Sequence, residues 1–106
     1  MKIDNLEDIK NLIVQTENEQ LEFKETTGQL ERGMETLCAF LNGEGGTVLF
    51  GITDKGKIIG QEVADVTKRS IAEAINRLEP TANVHVFYIP LPDSIKKIIA
   101  DRKSVV

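Results

Sequence analysis

The stretch that most constrains this chain runs from Phe40 to Asp54: Phe40-Leu41-Asn42-Gly43-Glu44-Gly45-Gly46, then Thr47-Val48-Leu49-Phe50-Gly51-Ile52-Thr53-Asp54. It closes an amphipathic helix, crosses a glycine turn, passes through an apolar run and ends on an acid. Upstream, Met34, Leu37, Cys38 and Leu41 repeat at helical spacing, with Leu30 extending the stripe backwards. Gly43 stands where a helix stops most easily, because a left-handed backbone costs glycine little. Gly45 and Gly46 then let the chain turn into Thr47–Thr53. Those residues are apolar on both faces, as in a central strand covered from both sides. The rest of the chain is expected to dock on this helix–turn–strand unit.

The flanking segments supply the partners. Asp4 caps a first helix through about Thr16, with Leu6, Ile9, Ile13 and Leu12 turned inward. Leu21-Glu22-Phe23-Lys24 alternates apolar and charged residues, the pattern of a short half-buried strand. Thr26 and Gln29 are spaced as a capping box, with Thr27 as the competing cap, ahead of a helix over 29–42. Asp54-Lys55-Gly56-Lys57 reads as a hairpin connection, and Lys57–Gly60 as the returning strand. Asp65 or Thr67 opens a third helix carrying Ile71, Ile75 and Leu78, and Pro80 ends it. Val84–Ile89 is a strand. Lys97–Ala100 suits a helix or a strand, and the short apolar run after a Pro-Asp turn favours the strand. The expected class is α/β (α+β), a small mixed sheet with three helices packed against it.

Length and charge limit the rest. A chain of 106 residues makes one domain, here expected to be the N-terminal module of a longer protein. No apolar run is long enough for a membrane span, and the start lacks a signal-peptide core. The lone Cys38 cannot form an internal disulfide, and its spacing makes it a buried thiol of a reduced, cytoplasmic protein. Net charge is −4, but residues 1–31 carry −5 and residues 32–106 carry +1, so the overall sign does not choose the partner.

Among candidate groups, Glu17, Glu22 and Asp54 stand out. If the strands of Glu22 and Asp54 are neighbours, their carboxylates can converge and hold a divalent cation through oxygen. Acids at strand ends also serve commonly as solvated turn and cap residues. Asn42, Gly43, Gly45 and Gly46 form a loop able to offer amides to phosphate. However, it leads from helix to strand, the reverse of the usual phosphate cradle. His85 is the sole histidine, which leaves no His/Cys zinc set. The basic candidates for a nucleic-acid backbone are Lys24, Lys55, Lys57, Arg69, Lys96 and Lys97; lysines at a hairpin tip are also ordinary solubilising groups.

Taken in order, Glu17-x4-Glu22-Phe23-Lys24, Ala39-Phe40-x-Asn42-x-x-Gly45-Gly46, Gly51-Ile52-Thr53-Asp54 and Ile59-Gly60 resemble the Schlafen-type Alba-like domain. That family is described as DNA-binding in bacterial transcriptional regulators and RecG-related ATP-binding proteins. The resemblance covers roughly residues 15–100 and implies an Alba/Schlafen-like mixed sheet that binds DNA or RNA, in a homodimer. In Schlafen ribonucleases the related module holds an acidic triad, and Glu17, Glu22 and Asp54 fall on that pattern. They imply a Mg²⁺- or Mn²⁺-dependent alternative, although binding itself requires no cofactor. The chain departs from those enzymes in lacking a second Alba-like copy. A third possibility is a nucleotide-sensing or protein-interaction module.

Overall fold

The computed structural model describes residues 3–15, 20–41, 45–78 and 84–104. The elements run α1 (Leu6–Ile13), β1 (Leu21–Lys24), a 3-10 turn (Thr27–Gln29), α2 (Leu30–Leu41), β2 (Gly45–Phe50), α3 (Asp65–Asn76), β3 (Val84–Pro90) and β4 (Lys97–Ser104). The four strands form one sheet in the order β1-β2-β4-β3. β1 and β2 are parallel, and β4 is antiparallel to both β2 and β3. The mixed α+β class read from the sequence is the observed one.

The apolar run of β2 explains its central place. Leu49 joins Leu21, Phe23, Ile98 and Ala100 under Ile9 and Leu12 of α1. On the opposite face Val48 and Phe50 join Ile99 under Met34 and Leu37 of α2 and Ile71 and Ala74 of α3. Successive side chains thus serve two cores, as a strand covered on both faces requires. Gly33 lets α2 approach β2 closely: a Cβ there would meet the Phe50 ring at 2.7 Å.

Several boundaries differ from the sequence reading. Helix α1 is capped by Asn5, whose Oδ1 accepts from Asp8 N at 3.0 Å while Asp8 Oδ2 accepts from Asn5 N at 3.3 Å. Asp4 therefore lies one residue outside the cap, and its N–H also donates to Asp8 Oδ2. The expected Thr26 cap is present, with Oγ1 accepting from Gly28 N at 3.0 Å and Gln29 Oε1 accepting from Glu25 N at 3.3 Å. It starts the 3-10 turn that leads into α2. For α3, Asp65 is the first helical residue and the Thr67 hydroxyl accepts from Ala64 N at 3.2 Å. The helix ends at Asn76, before Pro80, which lies outside the described residues.

The central strand begins earlier and ends earlier than expected. Gly45 and Gly46 already pair with Ser104 and Lys103, so they belong to β2 and not to the turn. At the other end Gly51 has φ +101, and its N–H and that of Ile52 both donate to Lys24 O, at 2.7 and 3.1 Å. Two residues facing one make a bulge that stops the ladder. The returning strand expected at Lys57–Gly60 is accordingly reduced to a single bridge, Ile52 to Ile58. Gly51 O instead accepts from both Ile59 N and Gly60 N at 2.9 Å.

Candidate nucleic-acid interface

Because β4 runs against β1 and β2, the end of β2 and the start of β4 share one end of the sheet. Past the bulge the chain makes a tight turn: Thr53 N donates to Lys57 O at 2.9 Å, and Gly56 N to Thr53 O at 2.8 Å. Thr53 Oγ1 accepts from Lys57 N at 3.0 Å, and Gly56 takes φ +81. These bonds fix Lys55 and Lys57 as exposed side chains on the turn. Beside it, the β3–β4 hairpin closes through Leu91 N to Lys96 O at 3.1 Å, leaving Lys96 exposed and Lys97 half-buried.

Gln61 ties this end together, and the sequence reading did not single it out. Its backbone exchanges two hydrogen bonds with Lys97, at 2.9 and 2.8 Å. Its side-chain Oε1 accepts from Thr27 N at 2.9 Å, and Nε2 donates to Thr27 Oγ1 at 3.0 Å and Glu62 O at 3.2 Å. A glutamine has no periodicity signal that would reveal such a role. Its only hint was an amide-bearing residue directly after Ile59-Gly60. Burying a polar side chain is tolerable here because both ends of its amide are satisfied.

Of the six basic candidates, Lys55, Lys57, Lys96 and Lys97 stand on two segments at this sheet end, and exposed Arg69 lies about one turn into α3, which starts four residues after Gln61. Lys24 differs. Its side chain is 14% exposed and pairs with Glu22 Oε1 at 3.2 Å, on the face towards α2. Exposed Asp54, Glu62 and Asp93 are interleaved with the lysines, so the surface is mixed in sign.

The acidic candidates are placed in part. Strands β1 and β2 are neighbours, and the register sets Glu22 level with Val48. Asp54 lies on the exposed turn beyond the bulge. Glu17 lies outside the described residues, as do Asn42 and Gly43, and so does the side chain of Cys38. Among the described residues no three His, Cys, Asp or Glu side chains group to hold a metal, and a cation on Glu22 would have to share it with Lys24.

One acid was missed. Asp101 of β4 has no exposure, and among the described residues neither carboxylate oxygen has a hydrogen-bond partner. Burial pushes its pKa up to about 7. The apolar run Ile98-Ile99-Ala100 just before it was the available signal, since a strand that continues inward carries its next residue inward too. Tyr88 on β3 is raised as well, first by burial and then by the charge of Asp101.

A four-stranded mixed sheet covered by helices defines an α+β domain. The Schlafen, AlbA_2 family model matches residues 17–103, and the chain belongs to that family. A comparison with curated proteins gives no match. No described helix is long and apolar enough to cross a membrane.

Proposed function

We propose that this chain is a nucleic-acid-binding module, serving as the N-terminal domain of a transcriptional regulator, that grips phosphates with Lys55, Lys57, Lys96 and Lys97. What supports this reading is that the turn bearing Lys55 and Lys57 and the hairpin bearing Lys96 and Lys97 lie at the same end of the sheet, where Gln61 bonds the start of β4. Family membership supports it. Phosphate contacts fix position and are screened by salt, so affinity is expected to fall steeply as salt rises. Fluorescence anisotropy with duplex DNA and single-stranded RNA tests this. Replacing Lys55, Lys57 and Lys96 by Glu should weaken binding and lower the salt slope by roughly one for each lost contact. Absence of binding at low salt rejects the reading in favour of a protein-interaction or nucleotide-sensing module.

A second reading is a metal-dependent ribonuclease using Glu17, Glu22 and Asp54. It is favoured by the adjacency of β1 and β2, which convergence of Glu22 and Asp54 needs. A bound Mg²⁺ or Mn²⁺ would activate water and stabilise the leaving oxygen of a phosphodiester. RNA cleavage with Mn²⁺, lost in Glu22→Ala, supports it; equal cleavage by both proteins, or by neither, removes it.

A further inference from the structure

Among the described residues, Asp101 alone buries side-chain oxygens that have no hydrogen-bond partner. A buried polar group in that state calls for a physical explanation. Its surroundings follow from the ladder. Asp101 stands level with Val48 on β2 and Val86 on β3, and Ile99, two residues earlier on β4, shares its face. Val48 and Ile99 pack with Met34 and Leu37 of α2, with Ile71 and Ala74 of α3, and with Leu78 just past α3. The carboxyl group therefore sits in the apolar layer between the sheet and these two helices, with no exposure to water.

The two covering helices are not held alike. α2 follows the 3-10 turn that the Gln61 side chain bonds at Thr27, and its Gly33 lies tight against the Phe50 ring. α3 starts after Ala64, which has no side chain able to accept from the first-turn amides. In the same cluster, Ile75 of α3 and the edge-strand residues Val84, Val86 and Tyr88 are only half-buried. Lys68 of α3 is exposed and lies over Tyr88, its Nζ 5.3 Å from the ring centre. The Tyr88 phenol in turn feels the charge of Asp101. The half-open flank of this layer is therefore the one that α3 covers.

We infer that α3 is a proton-controlled cover over Asp101, seated while the carboxyl group holds its proton and lifted from the sheet to admit water once the proton leaves. A neutral carboxyl is tolerated in an apolar layer at modest cost, whereas a bare carboxylate demands hydration or a cation. Val48 and Val86 offer neither, and their strands are locked into the ladder. The other charged and titratable groups around this layer do not neutralise it. Glu22 and Lys24 on β1 pair with each other. Glu31 and Glu35 of α2 line a groove with Arg77, and their carboxylates repel a further one. Lys68 of α3 is engaged with the Tyr88 ring of β3. Arg32 of α2 and Arg69 and Glu73 of α3 are exposed, and the side chains of Cys38 and Lys103 lie outside the described residues. β2 brings no charged side chain between Gly45 and Phe50. Among the described elements, movement of the more loosely held helix is the way to bring water to the carboxylate. The cover works independently of what the lysine end binds.

Amide hydrogen exchange of the wild-type chain, expressed as protection at each pH, tests this. From about pH 4 to 7 the opening of α3 should grow about tenfold per pH unit, and it should level off above 7. Over that range the lifted form is ionised while the seated form keeps its proton. The amides of α3 should also be about tenfold or more less protected than those of α2 and β2, because the helix lifts without global unfolding. Asp101→Asn should flatten the α3 profile between pH 5 and 7. Equal protection of α3, α2 and β2 at every pH, or the wild-type slope retained in Asp101→Asn, overturns the assignment.

Discussion

The two faces of the sheet share every strand yet differ in what they bury. Under α1, the buried cluster of Ile9, Leu12, Leu21, Phe23, Leu49, Ile98 and Ala100 has beside it the buried but uncharged Thr47, on the face of Leu49. Under α2 and α3 an apolar cluster of similar make-up, including Leu37, Val48, Phe50, Ile71 and Ile99, surrounds a face that also holds Asp101. One row across that face reads Glu22, Val48, Asp101, Val86. Glu22, near the edge, stays part-exposed and finds Lys24; Asp101, on an inner strand, finds no partner among the described residues. The same residue type is inexpensive at the margin and costly two strands inward, because water or a mobile lysine can reach only the first.

The largest effects should come from cutting each core in turn. Leu49 and Phe50 are adjacent in sequence, fully buried, and point to opposite faces. Leu49→Ala should cost about 2–5 kcal/mol and Phe50→Ala about 3–5 kcal/mol in urea unfolding. Phe50 has the added penalty that Gly33 supplies no side chain to fill the vacated space. A loss below about 1 kcal/mol from either would show that one face contributes little, contrary to the two-core description.

Asp101 gives the next effect, with a defined sign. Its folded-state pKa of about 7 lies above the ordinary 3.8, so the folded chain holds a proton that the unfolded chain releases. Stability should be greatest below about pH 4, fall as pH rises towards 7, and level off above it. Some three pH units correspond to roughly 4 kcal/mol at most. Asp101→Asn keeps the shape and removes the charge. It should raise the unfolding midpoint at pH 8 and flatten this slope, while changing little at pH 4. Other ionisable side chains on this side, among the described residues, include Tyr88 on β3, Glu22 and Lys24 on β1, Glu31 and Glu35 of α2, Arg77 after α3, and Lys68 of α3, whose Nζ lies 5.3 Å from the Tyr88 ring centre. An unchanged slope in Asp101→Asn would assign the pH dependence to those groups and erase the contrast between the faces.

How much of this the sequence revealed follows from the range of the forces involved. Strand β1 and the three helices were legible because each leaves a periodic apolar signature, while β4, which suited a helix or a strand, was read as a strand from a short apolar run after a Pro-Asp turn. The end of β2 was not, since Gly51 reads as one more small residue in an apolar run until its bulge against Lys24 is seen. The reduced bridge at Ile58 follows from that same bulge. At the candidate interface, Lys55 and Lys57 were readable from the turn chemistry of Gly56. The pairing of Lys24 with Glu22 was open to an alternation argument, since residues two apart on a strand share a face. Gln61 and the unpaired state of Asp101, though not its burial, were opaque because they depend on partners, or the lack of them, that are distant in the chain.

The smallest expected effect concerns how the cleaner face is closed. Helix α1 has only eight residues, too few to persist without packing and caps. Its Asn5–Asp8 capping box satisfies donors that would otherwise be orphaned at the helix start. Asn5→Ala removes the acceptor for Asp8 N and should cost about 1 kcal/mol, within the range of roughly 0.5–2 for cap loss. Asn5→Asp, which keeps an acceptor, should restore most of it. Because the cap is exposed, its loss acts on the positioning of Ile9 and Leu12 over Leu21 and Leu49, not through lost burial of its own. Hydrogen exchange should therefore speed up in α1 well before α2. If the amides of α2 and α3 respond equally, the two faces open as one unit, and the comparison between them describes composition without describing separate stability.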